Sequence, residues 1–184
     1  MGAIELRRKS WRVLSWVVIL GLGVGMIAAV GKVTSVNGFR AGWQGIPVFL
    51  ALAGAIGKVA HCKVILRGDI LVVVNPLRTY IVPAVAIQDV RVGDDGTLEV
   101  RLHTGKIVSV FAFGGSLVDR FSRTSDRAAR EISNWLHLHP SESASGSDSI
   151  PQINWTWNMG ADISLALCVV VSGAGAIWMA FSSS

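Results

Sequence analysis

The 184-residue chain is 51% hydrophobic and only 16% charged, with a mean hydropathy of +0.51. A soluble domain carries about a quarter charged residues, so much of this chain belongs in lipid. The net charge of +5 is densest at Arg7, Arg8, Lys9 and Arg12, directly before an apolar run, whereas residues 61–140 hold ten Lys/Arg against eight Asp/Glu. That is the pattern of a membrane orientation signal rather than of a basic nucleic-acid face, and no nucleic-acid partner is expected.

Residues 13–31 carry no charge. As a helix they span roughly 28 Å, close to the hydrocarbon thickness of a bilayer. A signal peptide shares the basic start and apolar core, but a second apolar run from Gly42 to Gly57 follows at once, which favours a retained span. The two runs predict a transmembrane helical hairpin over 13–61, behind a basic cytoplasmic N-terminus of 1–12. Gly21, Gly23, Gly25, Gly54 and Gly57 offer close helix approach, Gly21-x-x-x-Gly25 having the small-xxx-small form. Trp43 is expected at one membrane interface. Four basic residues precede the hairpin, Lys32 and Arg40 lie in its connector, and Lys58, Lys63 and Arg67 follow it. Both ends of the hairpin are therefore expected in the cytoplasm.

From Cys62 to Phe113 the chain reads as short strands separated by turn residues: CKVILR, ILVVVN, RTYIVP, VAIQDVRV, TLEVRLH and KIVSVFAF. Arg67-Gly68-Asp69, Asn75-Pro76-Leu77-Arg78, Asp94-Asp95-Gly96 and Thr104-Gly105-Lys106 are the turns. In TLEVRLH, Leu98, Val100 and Leu102 alternate with Glu99, Arg101 and His103, the mark of a half-buried antiparallel strand. Gly114-Gly115 ends the last strand. A helix capped at Thr124 or Ser125 follows, with Ala128, Ala129, Ile132, Trp135 and Leu136 on one side and Arg123, Arg127, Arg130 and Glu131 elsewhere. Pro140 stops it. Residues 62–139 thus predict one curved antiparallel sheet capped by one amphipathic helix, with Pro76, Gly96 and Trp135 as structural anchors. Residues 140–160 read as a flexible Ser-rich linker, and 161–184 as a third transmembrane helix, entered past Trp155 and Trp157, that leaves the C-terminus extracytoplasmic.

No motif carries chemistry. Cys62 and Cys168 have neither metal nor disulfide spacing. His137-x-His139 points two ways on a helix. Asp94 and Asp95 sit in a turn, and no serine stands at a strand-to-helix elbow. The sequence therefore predicts no catalytic, cofactor or metal site, no internal charge in any span, and no enzyme. Arg67, Arg78, Arg91, Arg101 and Lys106 are the candidate lipid or partner surface, should they gather at one rim of the sheet.

The stretch RGDILVVVNPLRTYIVPAVAIQDVRV, followed by GTLEVRLHTGKIVSVFAF, resembles the bacterial pleckstrin-homology-like domain of small actinobacterial membrane proteins. The matching residues are Asn75-Pro76-Leu77-Arg78, Pro83, Ile87 through Val90, and Gly96 through Lys106, covering about 60–113; Ala84 stands where the family often has tryptophan. The resemblance implies a bent sheet closed by a C-terminal helix, next to a membrane hairpin. The expected architecture is a membrane-anchored α+β protein of the plasma membrane, multi-pass, with a cytoplasmic PH-like domain. Its expected role is that of a non-catalytic adaptor or scaffold for a membrane-proximal protein or for a second copy of itself. An anionic-lipid surface sensor and an accessory subunit of a transport or enzyme complex are the alternatives.

Overall fold

The computed structural model describes residues 4–6, 9–113, 124–138 and 151–182. In chain order the elements are β1 (Ile4–Leu6), α1 (Lys9–Asn37), α2 (Phe39–Gly42), α3 (Gly45–Ala60), β2 (Lys63–Arg67), β3 (Ile70–Val74), β4 (Arg78–Pro83), β5 (Ile87–Val92), β6 (Leu98–Leu102), β7 (Ile107–Val110), α4 (Thr124–Leu138), β8 (Gln152–Trp155) and α5 (Met159–Phe181). They form two compact units, a sheet unit of 4–6, 61–113, 124–138 and 151–156 and a helical unit of 9–60 and 157–182. The expectations for Gly114-Gly115, Arg123, His139, Pro140 and the serines of 141–150 fall outside the described residues.

The protein is a mixed α+β fold. Val64, Leu66, Leu71, Val73, Val82, Leu98, Val100, Leu102, Val108 and Val110 alternate along their strands and meet in one buried core with Ile132 and Trp135 of α4. The strands do not make the single curved sheet expected. They form two separate open antiparallel sheets, ordered β1-β2-β3-β4-β8 and β5-β6-β7. The break falls at Pro83, which cannot donate to a ladder and leads into a 3₁₀ turn over Ala84–Ala86. The Ala84 N–H is taken by the Asp69 carbonyl at 2.7 Å, so the chain turns away from β4 before β5 begins. In β5 the register shifts between Ile87 and Asp89. This bulge brings Ile87 and Val90, three apart, to the same buried side.

Two of the expected boundaries change. Residues 4–6, assigned to a basic tail, pair with β2 (Ile4↔Leu66, Leu6↔Val64), and Lys63 Nζ lies 3.3 Å from Glu5 Oε1. Residues 152–155, assigned to the linker, pair with β4 from Arg78↔Trp155 to Ile81↔Gln152. The Thr79 and Thr156 hydroxyls are 2.8 Å apart. The reason is the same at both edges: β2 and β4 would otherwise leave rows of backbone donors and acceptors unpaired. Because β1 pairs with β2, the chain before α1 and the chain after α3 lie on one side of any bilayer that the intervening helices cross.

Among the described residues, three stretches are long and apolar enough to cross a membrane: Val13–Asn37, Phe39–Ala60 and Met159–Phe181. Within the helical unit α3 and α5 run antiparallel, as their contacts pair Lys58 with Asp162, Asn158 with Gly57, Ser164 with the Leu50 carbonyl and Cys168 with the Pro47 carbonyl. A Cβ on Gly54 would stand 2.7 Å from Leu165 Cγ, and one on Gly175 would overlap the Trp43 ring. Trp43 is accordingly buried against α5. Gly21 and Gly25, the small-xxx-small pair, have nothing near them.

Charges stand at the ends of two of the spans. Lys58, in the last turn of α3, is 4% exposed, and its Nζ is 2.6 Å from Asp162 Oδ1 in the first turn of α5. The other carboxylate oxygen accepts the Asn158 backbone N–H at 2.8 Å. A buried cation stripped of its counter-ion is expensive, whereas an apolar pair in the same place is close to neutral. Asp162→Ala is expected to destabilise the detergent-solubilised protein more than the double substitution Lys58→Leu/Asp162→Leu does, read from denaturant unfolding.

Candidate functional site

The five basic residues singled out in the sequence do not gather at one rim. Arg67 lies at the β2–β3 end of the five-stranded sheet, opposite Ile70. Arg78 lies at the other end, beside Trp155. Arg91 and Arg101 share the outer face of the three-stranded sheet with acids: Arg91 Nε is 3.5 Å from Glu99 Oε2, and Arg101 stands across from Asp89. That face is charge-balanced and wet.

Lys106 behaves differently. Its Nζ is 6.0 Å from the centroid of the Tyr80 ring, at the outer limit of a cation–π contact. Tyr80 and Arg78 are two apart on β4 and share a face, and across from them stand Ile153 and Trp155. The Leu77 carbonyl accepts the Thr156 N–H at 3.1 Å, which draws the β3–β4 turn to the same corner. Leu77, Ile153 and Trp155 are 55%, 44% and 58% exposed. The structure thus assembles a corner of two cations, two aromatic rings and two aliphatic side chains, with no carboxylate among them. Two of the five predicted residues, Arg78 and Lys106, belong to it.

The corner is braced by Asn75. Its carboxamide donates through Nδ2 to the Ser109 carbonyl at 2.8 Å and accepts the Phe111 N–H through Oδ1 at 2.9 Å. One side chain thereby stands in for a neighbouring strand on the outer edge of β7 and ties the turn of one sheet to the last strand of the other. Asn75 N–H also closes its own turn on the Arg78 carbonyl at 3.0 Å. The sequence marked this stretch only as a turn; an asparagine directly before proline was the signal available. Pro76 sits within that turn. Gly96, at φ +81°, closes the β5–β6 turn, and Trp135 Nε1 donates to the Gly68 carbonyl at 3.0 Å, pinning α4 to the β2–β3 turn.

Titratable groups elsewhere are settled by local causes. Burial pushes the Cys62 thiol up to about 12, which leaves it protonated and unreactive near neutrality. The N–H and hydroxyl of Thr97 hold Asp95 below the ordinary carboxylate value. Among the described residues no three His, Cys, Asp or Glu side chains stand close enough to hold a metal ion. Comparison of the chain with protein-family models, with curated proteins and with solved structures finds no match.

Asn75→Ala is expected to lower stability by about 1 kcal/mol, since two backbone groups lose an internal partner. Asn75→Asp should cost more, because a carboxylate facing the Ser109 carbonyl is repulsive; chemical denaturation at neutral pH ranks the two.

Proposed function

We propose that this chain is a membrane-anchored, non-catalytic pleckstrin-homology-like adaptor at the cytoplasmic face of the plasma membrane, holding a membrane-proximal protein or a second copy of itself. The observation that carries this reading is the asymmetry of the sheet edges. The edge strands of the five-stranded sheet, β1 and β8, are three and four residues long and each leads into an apolar helix. The edges of the three-stranded sheet, β5 and β7, do not run directly into an apolar helix. An open edge is the usual place for a partner to add an extended segment. The outer face of α4, with Asp126, Arg127, Arg130 and Glu131 exposed, adds a charged surface next to it.

The order of antiparallel strands β2 to β7 followed by one amphipathic helix packed on β5 and β6 supports the PH-like reading. The β1–β2 pairing supports the orientation, since it keeps the two ends of the helical hairpin on one side of the bilayer, with Lys32 and Arg40 in the connector between its helices. The C-terminus of α5 then lies outside.

Crosslinked recovery of the full-length protein from its native membrane tests this, with Ile107→Pro to block the β7 edge and Arg127→Glu/Arg130→Glu to alter α4. A specific protein whose recovery falls about tenfold with one variant, while both variants insert and melt normally, is the expected result. Equal recovery by all three forms would move the interaction into the spans, the accessory-subunit reading.

A further inference from the structure

The corner formed by Leu77, Arg78, Tyr80, Lys106, Ile153 and Trp155 has a use that the adaptor reading does not require. We propose that it is a docking surface for the anionic headgroup layer of the bilayer.

Three observations carry the proposal. The first is composition. Leu77 and Trp155 are more than half exposed, and Arg78 pairs across strands with Trp155 as Tyr80 does with Ile153. Lys106 reaches over the Tyr80 ring. Indole and phenol rings, aliphatic side chains and two cations are the chemistry that the headgroup layer accepts, the rings at the boundary and the cations among the phosphates.

The second is charge complementarity. The two cations of this corner face no carboxylate within it, unlike Arg91 and Arg101, whose acids lie beside them. An anionic surface supplies the missing counter-charge. A protein partner of this chemistry would need a mixed acidic and apolar face, whereas the headgroup layer presents both together.

The third is the path of the chain. The strand ends that continue into apolar helices are Leu6, Lys63 and Trp155, and the registers put all three at one end of the five-stranded sheet. Residues 7–8 lead from β1 into α1, 61–62 join α3 to β2, and 156–158 lead from β8 into α5. Trp155 is therefore tethered to a membrane helix by a reach of no more than ~14 Å. Arg67 and Asp69, at the far end of the same sheet, carry no such tether.

The test uses the full chain in lipid nanodiscs of phosphatidylcholine with or without phosphatidylglycerol, the anionic probe. An environment-sensitive bimane is attached at Leu77→Cys or, at the opposite end of the sheet, at Asp69→Cys. The wild type, with only Cys62 and Cys168, reports background labelling. A lipid carrying a shallow doxyl quencher is expected to quench the Leu77 position at least about threefold more than the Asp69 position in anionic discs. Adding Arg78→Gln/Lys106→Gln should return that quenching to its value without phosphatidylglycerol. Equal quenching at the two ends, or quenching at Leu77 that ignores both lipid charge and the loss of both cations, would overturn the proposal. Amide exchange of the unmodified protein gives a second readout free of labelling. Slower exchange over 76–80 and 152–156 in anionic discs, with 67–70 unchanged, supports the surface; no difference between disc types refutes it.

Discussion

The sheet unit depends on two short ladders made by segments from outside its continuous core. β1 has three residues and β8 four, and every residue of β8 is exposed. β8 buries no large side chain, and β1 packs only the partly buried Leu6 against the core. Each is held by backbone pairing to a strand whose edge would otherwise be open, reinforced by Lys63–Glu5 at one side and the Thr79–Thr156 hydroxyl pair at the other. The dependence is mutual, since three or four residues have no reason to be extended without β2 or β4 to template them.

The corner at Pro83 gives the rest of the architecture its shape. Once β4 and β5 cannot pair, two sheets must be joined by other means, and three side chains do this. Asn75 bridges the β3–β4 turn to β7. Lys106, from the β6–β7 turn, lies over Tyr80 of β4. Trp135 of α4 reaches the β2–β3 turn at Gly68. All three ties involve turns that the hydrophobic pattern alone treats as solvated connectors. The exposed corner at Arg78 and Trp155 is a consequence of the same geometry, because Asn75 and the Thr156–Leu77 hydrogen bond draw the β3–β4 turn and the end of β8 together.

Strand positions were legible from the sequence because they follow a period of two and sit between glycine-bearing turns. Leu98, Val100 and Leu102 are fully buried as alternation demands. The amphipathic stripe of α4 was legible for the same reason, with Ala128, Ile132 and Trp135 buried. β1 and β8 were not, because neither carries a pattern: the exposed run Gln152 to Trp155 has no hydrophobic face to announce a strand, and only a partner edge makes it one. The division into two sheets was also hidden, since Pro83 alone does not say whether a strand ends or bends. The convergence of Arg78 with Lys106, 28 residues apart, depended on that division and on the Tyr80 ring between them. Local sequence carries no information about such a meeting.

In the membrane segments the polar atoms fix register while the glycines fix distance. Lipid is as apolar as leucine, so nothing but packing and hydrogen bonds chooses one alignment of α3 and α5 over another. Gly54 against Leu165 and Gly57 against Ala161 permit close approach, yet a one-turn slip would present similar small residues. Lys58–Asp162 removes that freedom, because a slip would strand a buried ammonium away from its carboxylate. The pair stands at the ends of both helices, where Asp162 also accepts the Asn158 N–H and caps the start of α5. Placing the charge there joins the capping of one helix to the register of two. At the far end Trp43 fills the space left by Gly175, so α5 is indexed to α3 from both ends. In α1, Gly21 and Gly25 have nothing packed against them. The third helix is thus built as the partner of the second.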